Sequence, residues 1–202
     1  MSKRERGERV NLAIFGSGAG TTASVLIAAA HAENSSYCVR LVVSSRSDSG
    51  ITKVADSAGL RCYIHGQSSG VDELLGELQE NSIEMIALAG YLRLVPPEII
   101  SAVRGNILNL HPSLLPKYGG QGMYGKRVHQ AVFASGESIS GATVHVVTSE
   151  YDNGPIVDQQ SCYIGDCSTV EEVEVCVREI EKPLYCRAVQ MHASKLAQSK
   201  TS

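Results

Sequence analysis

The stretch Val10-Asn-Leu-Ala-Ile-Phe-Gly16-Ser-Gly-Ala-Gly-Thr-Thr22 decides the fold. Val10 to Phe15 is a short apolar run that ends at Gly16. Glycines then stand at alternate positions, where they let the backbone turn sharply and approach a ligand closely. Thr22 to Ala32 is alanine-rich and reads as a helix. An apolar strand passing through a glycine turn into a helix starts a βα unit.

The same rhythm continues down the chain. Cys38 to Ser44 is a valine-rich strand. Gly50 to Ala58 is a helix stopped by Gly59. Arg61 to His65 is a short strand. Val71 to Asn81 puts Leu74, Leu75 and Leu78 on one helical face. Glu84 to Ala89 is a strand, and Pro96-Pro97 opens a helix that ends before Gly105. The stretch Asn106-Ile-Leu-Asn-Leu-His-Pro112 follows as a strand. This alternation predicts an α/β fold, with a mostly parallel twisted sheet and helices on both faces. Apolar strands without interruption fit burial on both sides. Further on, Pro112 to Gly125 is a loop rich in Gly and Pro, and Lys126 to Ala134 a helix. Gly141 to Thr148 and Ile156 to Ile164 are strands. Ser168 with Glu171 forms a capping box that starts a long helix reaching about Leu196.

The chain has 202 residues, 43% of them apolar and 19% charged, with a formal net charge of −3. That is enough for a real core and gives no basic excess for nucleic acid. No apolar run reaches the roughly 20 residues of a membrane helix. Residues 1–9 read as a charged tail without a signal-peptide core. Residues 10–198 read as one domain. Six cysteines are scattered without C-x-x-C or metal-like spacing, so reduced thiols and a cytoplasmic location are expected.

A glycine loop at a helix N-terminus favours an anion. A dinucleotide loop would use Gly16 and Gly18, but Thr21 stands where its third glycine belongs. No acidic residue follows the second strand, although Arg46 would suit an NADP phosphate. A Walker A loop would need a lysine, and none is present. A monophosphate held by Gly20, Thr21 and Thr22 fits best. A strand–helix turn with no ligand is the plain alternative.

Asn109 and His111 are two apart in a strand and so project to one face, with Pro112 ending the ladder behind them. In open α/β sheets, ligands bind beyond the carboxyl ends of the strands. An amide and an imidazole at that rim suit acyl transfer: both stabilise an oxyanion, and the histidine moves protons. The plain alternative is a satisfied polar pair capping the strand. A histidine kept cationic near neutral pH needs a carboxylate neighbour, and Asp152 in Tyr151-Asp-Asn-Gly-Pro155 is the best candidate. A routine Asx turn explains the same residues. His145 shares a face with Thr143 and reads as support for the site. His129 reads as structural. No H-x-H, H-E-x-x-H or cysteine cluster suggests a metal.

The glycine loop, Leu88-Ala-Gly-Tyr-Leu-Arg-Leu-Val95, Ile107-Leu-Asn-Leu-His-Pro-Ser-Leu-Leu-Pro116, Gly141-Ala-Thr-Val-His-Val-Val147 and Tyr151-Asp-Asn-Gly-Pro155 together resemble the phosphoribosylglycinamide formyltransferase family of purine biosynthesis. The resemblance covers nearly the whole chain. It implies a single Rossmann-like domain that moves a formyl group from 10-formyltetrahydrofolate to glycinamide ribonucleotide, with no metal. It implies that Gly20, Thr21 and Thr22 take the nucleotide phosphate. His111 would be the catalytic acid, Asn109 an oxyanion donor, and Asp152 the carboxylate that raises the histidine pKa and relays the proton. Leu92, Arg93, Leu94 and Val95 would line the pterin pocket, largely through backbone groups. The turn Thr148, Ser149, Glu150, Tyr151 and Asp152 would close over the folate. Arg178 and Glu181 would face the nucleotide, Glu181 at its glycinamide end.

Family members usually carry Asn where Thr22 stands and Ser or Asn where Ala19 stands. A basic residue expected near Gln67 to Gly70 is missing. These departures bear on affinity rather than on the catalytic residues. Two relatives share the catalytic string, methionyl-tRNA formyltransferase and formyltetrahydrofolate hydrolase. Each usually carries a further domain, so a one-domain chain is expected to be neither. Partners are expected to be small molecules, in a monomer or homodimer, with neither nucleic acid nor membrane.

Overall fold

The computed structural model describes residues 9–66 and 69–200. Most of the expected charged tail, and Gln67 and Ser68 where a basic residue was expected, lie outside the described residues. The chain divides into two compact units, Met1–Ile107 with Val189–Ser202, and Leu108–Ala188.

The first unit runs β1 (Val10–Gly16), α1 (Thr21–Ala30), β2 (Tyr37–Ser44), α2 (Gly50–Ser57), β3 (Arg61–Ile64), α3 (Val71–Glu80), β4 (Met85–Ala89) and α4 (Pro97–Ala102). Its strands lie in the order β3-β2-β1-β4, and every pairing is parallel. Leu12, Ala13, Ile14, Leu41, Val42, Val43, Met85 and Ile86 are fully buried. Successive residues of one strand face opposite sides, so their burial means that both faces of this sheet are covered. This is the α/β, Rossmann-like class expected from the sequence. Chain order reverses between β1 and β4, which makes their carboxyl ends a topological switch point.

The second unit holds β5 (Ile107–His111), α5 (Lys126–Ala134), β6 (Ile139–Val146), β7 (Ile156–Tyr163) and the first part of α6 (Val170–Ser199). β5–β6 and β6–β7 pair antiparallel. The register shifts between Val144 and His145. Such an irregularity re-aims a side chain and is common beside active sites. The Tyr185 hydroxyl of α6 donates to the Leu108 carbonyl at 2.9 Å.

The cap of α6 corrects the sequence reading by one residue. The Glu172 N–H donates to Thr169 Oγ1 at 3.2 Å, and the Ser168 N–H donates to Glu172 Oε2 at 2.6 Å. Thr169 thus caps the helix, because a helix starting at Val170 puts its third residue at 172, and Glu172 reaches back to the N–H of Ser168 just before the cap. The helix continues through Pro183, which donates no N–H to the turn before it. The six cysteines are free.

Candidate active site

β5 carries Asn109 and His111, and its partner β6 sets His145 directly opposite Asn109. Asn109 Nδ2 lies 3.2 Å from His145 Nε2, and His145 Nδ1 donates to the Val146 carbonyl at 3.0 Å. Asp152 comes from the β6–β7 turn. Its Oδ2 lies 3.4 Å from His111 Nδ1 and its Oδ1 lies 3.3 Å from His145 Nε2. Asp152 adopts a left-handed backbone with φ of 53°. Gly154 follows closely because a Cβ there would stand 1.8 Å from the Val146 carbonyl oxygen. His111 is 3% exposed, so this polar group is buried.

Burial pushes the Asp152 carboxyl up. The His145 hydrogen bond, the His111 interaction and the Gly120 N–H outweigh it and hold Asp152 below the ordinary aspartate range. His111 goes the other way from the sequence expectation. Burial lowers it, and the opposing pull of Asp152 and the Tyr118 carbonyl does not compensate. Asp152 pulls His111 upward, as the resemblance implies, but burial disfavours the imidazolium more than this one carboxylate restores it. The arrangement suits a neutral imidazole that takes up a proton and has a carboxylate ready to stabilise the cation.

Two contacts escaped sequence reasoning. His111 Nε2 donates to the Tyr118 carbonyl at 2.8 Å, and the Gly120 N–H donates to Asp152 Oδ2 at 3.0 Å. Both come from the loop after β5, whose glycines signalled a turn but not its target. Thr143 is a third. Its Oγ1 donates to the Ser113 carbonyl at 2.6 Å and accepts from the Leu115 N–H at 3.0 Å, tying that loop to β6.

In the first unit, Gly20 caps α1 with φ of 79°, and a Cβ there would meet Ile51 Cα at 2.8 Å. Only glycine fits such a place. No side chain caps the helix, and Thr21 is exposed with Thr22 half-buried. First-turn N–H groups of a helix have no intrahelical acceptor and suit an anion. Arg46 is held by Asp48 through bonds of 3.0 and 2.8 Å, so the cation an NADP site would use is already paired.

The segment after β4 adjoins the same loop: the Ser17 N–H donates to the Gly90 carbonyl at 3.1 Å, and the Leu92 N–H donates to Ser17 Oγ at 3.1 Å. Leu92 and Leu94 are 76% and 64% exposed, whereas Val95 is buried. Arg93 donates to the carbonyls of His65 and Gly66 at 2.5 and 2.7 Å. Its guanidinium thus orders its own surroundings.

In the second unit, Thr148 Oγ1 donates to the Glu150 carbonyl and accepts from the Glu150 N–H, and Tyr151 is exposed. Arg178 pairs with Glu174 one helical turn away. Burial raises the Glu181 carboxyl, and Arg178 offsets this only in part. His129 is buried on α5, and its Nδ1 has no hydrogen-bond partner among the described residues.

A strand–glycine loop–helix start at a switch point marks a Rossmann-like α/β class, and the Asn–His–Asp cluster at the end of β5 is its candidate site. The formyl transferase family profile matches residues 10–189. Phosphoribosylglycinamide formyltransferase of Haemophilus influenzae is 33% identical over 181 residues, covering 86% of this chain and 82% of that protein. The chloroplastic phosphoribosylglycinamide formyltransferase of Arabidopsis thaliana is 36% identical over 188 residues, which cover 90% of this chain. The chain spans 64% of the length of that plant relative. The crystal structure of glycinamide ribonucleotide transformylase 1 from Symbiobacterium toebii superposes with a TM-score of 0.86 at 26% identity, covering 96% of this chain and 92% of that one. This chain belongs to the phosphoribosylglycinamide formyltransferase family.

Among the described residues, no helix is long and apolar enough to cross a membrane, and no group of three or more His, Cys, Asp or Glu side chains is arranged to hold a metal ion.

Proposed function

We propose that this protein transfers the formyl group of 10-formyltetrahydrofolate to the amine of glycinamide ribonucleotide, giving the N-formyl product and tetrahydrofolate in purine (IMP) biosynthesis. The observation that carries the reading is the contact of Asp152 with both His111 and His145, beside Asn109. Family membership supports it.

The amine nitrogen attacks the formyl carbon, and the formyl oxygen becomes an oxyanion. Asn109 has a second amide hydrogen to donate to it, and the His111 imidazolium adds its charge once formed. The proton lost by the amine passes to His111 Nδ1, where Asp152 stabilises the cation. It then leaves for N10 of the folate as the carbon–nitrogen bond breaks.

Gly20, Thr21 and Thr22 take the nucleotide phosphate. Arg178 and Glu181 face the nucleotide, Glu181 at the glycinamide amine. Leu92, Arg93, Leu94 and Val95 line the pterin, with the exposed leucines giving it apolar surface and Arg93 holding the segment in shape. Thr148 to Asp152 cover the rest of the folate. Residues 10–198 act as one domain behind the tail 1–9. The enzyme works in the cytoplasm, as monomer or homodimer, on small molecules alone and without a metal.

The test is to incubate the protein with glycinamide ribonucleotide and a 10-formyl folate and to follow the absorbance of the deformylated folate. Turnover that depends on the ribonucleotide is expected. No turnover at micromolar enzyme overturns the reading. An equal rate without the ribonucleotide assigns a hydrolase instead.

A further inference from the structure

The loop after β5 grips both members of the proposed proton relay. Tyr118 accepts from His111 Nε2 through its carbonyl at 2.8 Å. Two residues on, the Gly120 N–H donates at 3.0 Å to Asp152 Oδ2, the oxygen that faces His111 Nδ1. A carbonyl only accepts, so the proton of the neutral imidazole sits on Nε2 and Nδ1 is left to receive the second one. Between them lies Gly119, where a Cβ would press on Leu115 Cδ2 at 2.5 Å and on Asp152 Cβ at 3.2 Å.

The position of that carbonyl is not free. Tyr118 has φ of 56°, a left-handed conformation that a bulky residue adopts only when its surroundings hold it there. Its phenol supplies the hold. The hydroxyl lies 2.8 Å from both Glu137 Oε1 and Ser135 Oγ. Both oxygens can accept, and a carboxylate is the stronger acceptor, so the single phenol proton goes to Glu137. Lys117 pairs with the same Glu137 oxygen at 2.9 Å, and Ser113 Oγ donates to the Lys117 carbonyl at 2.8 Å. The ring packs on the buried cluster of Val132, Ile164 and Val173.

We propose that Tyr118 is a positioning residue: its phenol, anchored on Glu137, fixes its own carbonyl against His111 Nε2 and so selects the imidazole tautomer that presents Nδ1 as the proton acceptor beside Asp152. The inference rests on the formyl-transfer reading for its effect on rate, but its geometric content stands without it.

The experiment compares the wild type with Tyr118→Phe, which keeps the ring and removes the anchor, and with Glu137→Ala, which removes the anchor from the other side. The first readout is the ring-nitrogen NMR spectrum of His111 well above neutrality. Wild type carries the proton on Nε2, and both variants gain the Nδ1–H form. The second is steady-state kinetics: both variants lose about tenfold to a hundredfold in kcat, as a misplaced relay does, while KM for each substrate stays within about twofold. Wild-type kcat and an unchanged tautomer in both variants overturn the proposal. So does a wild-type proton on Nδ1. If wild type shows no turnover, the formyl-transfer reading fails, and the spectra still decide the role of Tyr118. If Tyr118→Phe does not fold, Glu137→Ala carries both readouts.

Discussion

His111 takes its properties from competing terms that no single neighbour controls. Its ring is 3% exposed, and burial lowers its proton affinity more than Asp152 raises it. A neutral acceptor next to a carboxylate is the state that can take a proton from an attacking amine. We expect His111→Ala and Asp152→Ala each to lower kcat by about a hundredfold to a thousandfold, on the scale of losing one oxyanion donor or its supporting charge. Steady-state assays with both substrates decide this, and a near-normal kcat in either variant removes that residue from the mechanism. Asn109 and His111 were legible as a co-aimed pair from their spacing and the following proline. Asp152 was legible as the candidate carboxylate partner, but its sequence also fitted a routine turn and could not place it beside His111. Its contact with His111 spans 41 positions and depends on where the β6–β7 turn lies.

At the scale of elements, turns and caps hold the site together. The Val146 N–H donates to the Pro155 carbonyl at 2.9 Å, which closes the turn carrying Asp152. A Cβ on Gly154 would press on Val146 backbone atoms at 1.8 and 2.9 Å. Backbone cannot rotate aside as a side chain can. Gly154→Ala should therefore cost about 1–3 kcal/mol of stability, the range of an overpacked site, and should also reduce kcat/KM. Urea unfolding and the formyl-transfer assay check the two parts, and an unchanged midpoint would contradict the first. Thr169→Ala removes the N-cap of α6 and should cost about 1 kcal/mol by the same unfolding measurement. Ser168→Ala should be nearly neutral. That contrast tests the one-residue displacement of the cap, which composition alone did not resolve because Ser168 and Thr169 are both good caps.

For the whole molecule, buried histidines set the acid limit of stability. Burial lowers His65, His111 and His129 below the ordinary histidine value, and all three are nearly inaccessible. The unfolded chain protonates them below about pH 6.5, whereas the folded chain resists. Unfolding then takes up protons, so their contribution is full above that pH and is lost as the pH falls toward the folded values. The slope approaches about 1.4 kcal/mol per pH unit for each such group. Asp152, held low, adds stability that fades only in a more acidic window, as the pH falls through its folded value. Calorimetry should show the Tm falling steadily from neutral pH into the mildly acidic range. A flat Tm there would mean that these imidazoles are charged when folded.

The sequence by itself determined the order of strands and helices, the sharp glycine turn after β1 and the polar interruption of β5. These rest on side-chain periodicity and on the φ values that glycine and proline permit, which are properties of neighbouring residues. Only the tertiary structure decided which groups meet. His145 touches Asn109 because β5 and β6 pair in one register. Tyr118 and Gly120 reach His111 and Asp152 because the loop is tied back through Thr143 and Glu137. It also decided the direction in which the His111 proton affinity moves, because that affinity is the balance of burial against neighbours, and neither is set until distant segments pack together.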